Sequence, residues 1–303
     1  MRLHPLRDQG GQASPEWLGV VLVISLAFAA MAAAGVRVPG ADLVRAIADR
    51  FGCAVNLGDG CGGESLELVL AYGPAVAGLV DGLVPTLEYE EGMLALPVDW
   101  RSCREDACAN GSDSGEATES QTGEPVSLFS HVVNCVDPER PDPPEAECDG
   151  DAAGNLYIQY WAYYPDSATT PFDERAFGWA GYHPDDWESF QVRIGPNGVE
   201  ERASSHHGYN DESGDPVNDT GWLPGKSAWT TASGRYWISS KSHAGRVGTW
   251  QGPPHRLTPP ENVRVIPLET MRDQWDDYVG SEEHVPAWLK DVYLDPEATG
   301  TSG

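Results

Sequence analysis

The chain has 303 residues, 47 of them acidic and 19 basic, for a formal charge of −28. Only three of the basic residues are lysines (Lys226, Lys241 and Lys290), so a broad phosphate-neutralising surface is excluded and no nucleic-acid partner is expected. At 40% hydrophobic residues the chain is too apolar for wholesale disorder, and 34 glycines with 24 prolines predict many turns and few long helices beyond the N-terminus.

From Trp17 to Val36 twenty residues carry no charge, enough to cross about 30 Å of hydrocarbon as a helix. Arg2 and Arg7 precede the run, which places the N-terminus inside the cell and everything after Val36 outside. Three fates are compatible with this pattern. Cleavage at Ala32-Ala33-Ala34 would secrete the domain, and an ordinary anchor would leave Glu16 among the headgroups. The segment Gly11-Gln12-Ala13-Ser14-Pro15-Glu16-Trp17 also resembles the cleavage region of type IV prepilin-like proteins of the Flp and TadE type. That resemblance implies cleavage after Gly11, a mature chain beginning at Gln12, and Glu16 pairing with a neighbouring subunit's amine. The expected organisation is a leader over 1–11, a transmembrane helix over 12–36, a linker over 37–65, an extracellular β-sandwich over 66–295 and a tail over 296–303. Expected partners are the membrane, through that helix, and pilin-like or other cell-surface proteins.

All six cysteines lie beyond the apolar run, as suits an exported chain. Sequence order favours pairing Cys53 with Cys61, Cys103 with Cys108 and Cys135 with Cys148, each closing a short loop. A zinc site is the competing reading, but no CxxC occurs.

Polar stretches at 109–125 and 136–150 read as loops, the second Pro-rich and pinned by Cys135 and Cys148. Strand signals fall at Leu156–Tyr164, Trp187–Ile194, Arg235–Ser240 and Val263–Leu268, with a short helix near Val285–Val292. Irregular spacing and Gly/Pro turns predict a mainly β protein, a sandwich in place of βαβ units.

The stretch from Gly181 to Ile194 is the most informative. In a strand, Asp186, Glu188, Phe190, Val192 and Ile194 project to one face, and that face is apolar further along. Two inward carboxylates require a cation, an arginine or histidines. His183, offset by Pro184, can converge with Asp186 and Glu188 from a preceding turn. Carboxylate oxygens with one imidazole suit Mg²⁺, Mn²⁺ or Ca²⁺.

The run His183-Pro184-Asp185-Asp186-Trp187-Glu188 resembles the H-x-x-D-W-E signature of the vacuolar protein sorting-associated protein 62 family, and is similar to the G-H-R-H-D-W-E heptapeptide of necrosis- and ethylene-inducing peptide-like proteins. Tyr160-Trp-Ala-Tyr-Tyr-Pro165 and Ser242-His243-Ala244-Gly245 match those families' aromatic strand and G-S-H-A segment in the same order. The resemblance implies a β-sandwich and a divalent cation on His183, Asp186 and Glu188. The chain departs from the heptapeptide at Pro184-Asp185 and has Ser242 where a glycine is usual.

His206, His207 and His243 follow strand signals and can reach the same end of a sandwich. Their convergence would permit a metal-assisted hydrolase, whereas a hydrogen-bonded polar network would need no metal. No G-x-S-x-G, P-loop, HExxH or G-x-G-x-x-G is present. Eleven tryptophans and eleven tyrosines could line a carbohydrate groove or fill a core. The function expected is a membrane-tethered extracellular β-sandwich that binds a divalent cation, with a secreted hydrolase or a minor pilin subunit as the alternatives.

Overall fold

The structure is a computed structural model. It describes residues 65–93, 95–111, 115–167, 183–205, 208–209, 229–247, 254–278 and 285–298, all within one compact unit, Asp59–Gly303. The leader and transmembrane expectations, including Gly11, Gln12 and Glu16, lie outside the described residues, as do Cys53, Cys61, His206 and His207. Among the described residues no helix is long and apolar enough to cross a membrane.

The described chain opens with α1, Leu66–Gly82, bent where Gly73 takes φ 74°. The following Pro74 has no amide hydrogen to continue the ladder, so the bend falls where the backbone bonding is already interrupted. Leu68, Ala77 and Val80 are buried, and the Tyr160 hydroxyl donates to the Val80 carbonyl oxygen at 2.6 Å, seating the helix on a sheet. Short helices α2 (Asp106–Ala109) and α3 (Asp291–Leu294) complete the α content of the described residues, with a few 3₁₀ turns.

Among the described residues eleven strands form two sheets. The smaller contains β1 (Thr86–Tyr89), β8 (Arg235–Ile238), β9 (Gly245–Arg246) and β10 (Arg256–Thr258), in the order β10-β1-β8-β9. The larger runs β11-β2-β3-β4-β5-β6, with β2 at Ser127–Asn134, β3 at Leu156–Ser167, β4 at His183–Gly195, β5 at Gly198–Ser205, β6 at Gly208–Tyr209 and β11 at Arg264–Pro267. The two-residue β7, Thr230–Thr231, also pairs with β5. Two pairings are parallel, β1 with β8 and β11 with β2.

The aromatic run of β3 is buried along its whole length, which explains why no polar alternation marks it. Antiparallel register sets Tyr164 opposite Asp186, Ala162 opposite Glu188 and Tyr160 opposite Phe190. Directly opposed residues share a face, and on this one Phe190 meets Tyr236 of the smaller sheet at 5.4 Å between ring centroids. On the reverse face Trp187 packs against Trp288 and Tyr278 of the C-terminal segment. Cys103–Cys108 and Cys135–Cys148 are disulfide-bonded, as the spacing predicts. The 109–125 stretch is only partly surface loop: Ala117 is buried, and its amide donates to Leu257 O at 2.9 Å.

Several tyrosine side chains are fully buried in this core. Tyr89, Tyr160, Tyr163, Tyr164 and Tyr236 all have their phenol pKa pushed up, chiefly by burial. A folded-state pKa above the unfolded value of about 10 means the contribution is intact below pH 10 and lost as pH rises beyond it. Alkaline titration is therefore expected to show these phenols ionising together with unfolding, as a cooperative step in absorbance at 295 nm coincident with loss of circular dichroism. A smooth titration of all eleven tyrosines near pH 10 with the fold intact would contradict the burial.

Candidate functional site

Strand β4 delivers consecutive aspartates to different partners. Asp186 and Glu188 are each 2% exposed, confirming the inward orientation that alternation predicts. Facing Asp186 is His243, on the turn between β8 and β9, fully buried, with Nδ1 3.2 Å from Asp186 Oδ2. The Tyr164 ring lies flat on the imidazole, 3.9 Å between centroids and 6° from parallel. When Nδ1–H donates to the carboxylate, the neutral ring carries its lone pair on Nε2. That buried Nε2 has no hydrogen-bond partner among the described residues.

Asp185 turns away from this pair. Its Oδ1 accepts from the Tyr163 hydroxyl and from Arg104 Nη2, both at 2.7 Å. The Arg104 guanidinium also lies over the Tyr278 ring, 4.8 Å from its centroid, and Tyr278 Oη accepts from Trp187 Nε1 at 2.9 Å. Asp185 and His243 are the two non-glycine residues with positive φ among those described, 59° and 54°. Left-handed backbone costs an L-residue of order 1–3 kcal/mol and persists only where surrounding contacts enforce it. Here it falls on His243 itself and on the residue before Asp186.

Charge around the pair is concentrated by burial. Desolvation raises the Tyr236 hydroxyl pKa, and Glu188 and Asp186 raise it further. Lys290 is buried on the C-terminal segment; burial lowers its pKa, while attraction to Glu188 and Asp186 works in the opposite direction.

Of the residues expected at the site, Asp186, Glu188 and His243 occupy this end of the sandwich. His183 belongs to β4 itself, its backbone opposite Ser167, and not to a turn before the strand; its side chain lies outside the described part. Among the described residues no group of three or more His, Cys, Asp or Glu side chains is arranged to hold a metal. Sequence reasoning missed Tyr164, Arg104, Tyr236 and Lys290. The scarcity of lysine was the one signal that could have drawn attention to the last.

The molecule is thus a two-sheet β protein with a buried Asp–His pair between its layers. No protein-family model matches the chain, and no curated protein matches it. Solved structures similar to it include NLPPya in complex with mannosamine, at 18% identity and TM-score 0.36 over 72% of this chain and 86% of that one. The same protein in complex with glucosamine matches at 18% identity and TM-score 0.37 over the same shares. A structure described as a toxin fold serving microbial attack and plant defence matches at 17% identity and TM-score 0.37, over 72% of this chain and 87% of that chain.

Proposed function

We propose that the chain is an extracellular β-sandwich protein, tethered through its apolar Trp17–Val36 segment, that holds a divalent cation at the buried Asp186–His243 pair and acts by binding. The observation carrying this reading is the orphaned, buried Nε2 of His243, whose other nitrogen engages Asp186. A carboxylate that fixes one imidazole nitrogen and leaves the other free is a common way of presenting a metal ligand. His243 would supply a nitrogen, and Glu188, with His183 from the same strand, would complete the donors. A bound cation would neutralise the inward carboxylates and present a positive centre to an oxygen-rich ligand. Two disulfides support the extracellular setting.

A second reading is favoured by Lys290, whose attraction to Glu188 and Asp186 makes a metal-free ionic network. Titration of the purified full chain with Mn²⁺, Mg²⁺ or Ca²⁺, after chelator treatment, separates the two. A cation at a hundred times its Kd should raise Tm by about 5–10 °C, from a stabilisation of about 2.7 kcal/mol. His243→Ala should remove the response. No calorimetric binding and a Tm indifferent to chelator would leave the Lys290 network as the function of these groups.

A further inference from the structure

At the opposite end of β4 a second polar site is built around a single carboxylate. Glu297, near the end of the described chain, receives Tyr157 Oη at 2.7 Å and Arg193 Nη1 at 2.8 Å on Oε1, and Trp229 Nε1 at 2.9 Å on Oε2. Arg202 Nη1 stands 3.8 Å from Oε2, and its other terminal nitrogen donates to the Pro296 carbonyl oxygen. The Trp229 ring is shared by both guanidinium groups, 4.6 Å from that of Arg193 and 4.2 Å from that of Arg202.

These donors are held in place without Glu297. Glu200 accepts from Arg193 Nε at 3.0 Å and Nη2 at 2.6 Å, and Gln191 accepts from Arg202 Nε at 3.2 Å. Arg202 is 4% exposed and lies on β5, while Arg193 lies on β4, so adjacent strands fix their spacing. Tyr157 and Trp229 pack together at 5.8 Å. The occupant is held far less extensively. Backbone bonds of residues 295–298 are local, Asp295 N to Asp291 O and Ala298 N to Asp295 O, and polar ties from this segment to the sheet run through the Glu297 carboxylate and the carbonyl of the buried Pro296.

Two arginines, an indole N–H and a phenol converging on one carboxylate make a receptor for a glutamate side chain, and charge-assisted, multidentate geometry gives it selectivity for that group. We propose that this pocket is a preformed carboxylate-recognition site, occupied in cis by Glu297 and able to take the glutamate of an acidic peptide in trans when the C-terminal residues leave. The covalent link makes the resident glutamate a high-concentration competitor, so trans binding to the intact chain is weak. Arg193 stands seven residues beyond Asp186 on β4, and the site requires no metal.

The test uses the full chain with Glu297→Ala. Its Tm should fall, N-acetylglutamate at tens of millimolar should restore part of the loss, and the nonapeptide spanning Asp295–Gly303 should bind by calorimetry at least tenfold tighter to the variant than to the wild type. Adding Arg193→Leu should abolish that binding. A folded Glu297→Ala chain that neither binds the peptide nor responds to N-acetylglutamate overturns the proposal and leaves a structural latch; an unchanged Tm shows that the carboxylate is not held. Should Glu297→Ala fail to fold, the isosteric Glu297→Gln takes its place, and failure of both also overturns the proposal, which requires the pocket to stand without its resident.

Discussion

Asp186→Ala is expected to destabilise the full chain by about 3–5 kcal/mol, the range for removing one partner from a buried charged pair. Asp186 lies between the sheets, 2% exposed, with its acceptor 3.2 Å from His243 Nδ1. The loss also frees an imidazole stacked on Tyr164 and strips Lys290 of one of the two carboxylates that attract it. Asp186→Asn keeps an acceptor of the same shape, so only the charge is removed and the cost should be about 1–2 kcal/mol. Chemical denaturation of both variants checks the ordering. Equal losses would mean that the charge carries the whole contribution and that the shape of the side chain adds nothing.

Gly245→Ala should be nearly as damaging. A Cβ at this position would stand 2.0 Å from both Cε2 and Oη of Tyr236 and 2.2 Å from Cζ. The ring has little room to retreat, because Tyr236 is fully buried and packs on Phe190. Relief requires β9 to move, and β9 follows His243 by two residues, so the displacement would reach the Asp186 contact. A cost of about 3 kcal/mol, at the upper end of ordinary overpacking, is expected from thermal or urea unfolding. Combining Gly245→Ala with Tyr236→Leu removes the obstructing phenol and should recover part of the loss. Strict additivity of the two changes would show that the close approach is not the cause.

That glycine closes the Ser242-His243-Ala244-Gly245 segment, which was visible in the sequence although its physical reason was not. Alternation along Asp186, Glu188 and Phe190 correctly placed the carboxylates inward, and the aromatic run marked β3. Both signals are local, carried within a dozen residues. Asp185 defeated the same rule. Period two gives its parity, but not the left-handed backbone at φ 59° or the bond from Arg104, 81 residues earlier. Lys290 stands about a hundred residues from Glu188 and joins it only through the fold. Strand β2, Ser127–Asn134, went unread because buried Ser130 and His131 interrupt its apolar pattern; His131 is satisfied by Glu269, 2.5 Å from Nδ1, and by the Tyr293 carbonyl oxygen at 3.1 Å from Nε2. Helix α1 escaped because its apolar residues surround the axis and Gly73-Pro74 reads as a turn.

The two parallel pairings set the order in which the molecule can be completed. Strand β1 at Thr86–Tyr89 waits for β8 at Arg235–Ile238, and β2 at Ser127–Asn134 waits for β11 at Arg264–Pro267. The smaller sheet is incomplete until β10 at Arg256–Thr258 has emerged and the larger until β11 at Arg264–Pro267 has, and loop-closure entropy makes such distant pairings slow. A chain threaded outward from its N-terminus therefore exposes the edges of β1 and β2 while most of the polypeptide is still in transit. Under the proposed extracellular placement this delay would be an advantage, keeping the domain threadable until its last strands have emerged.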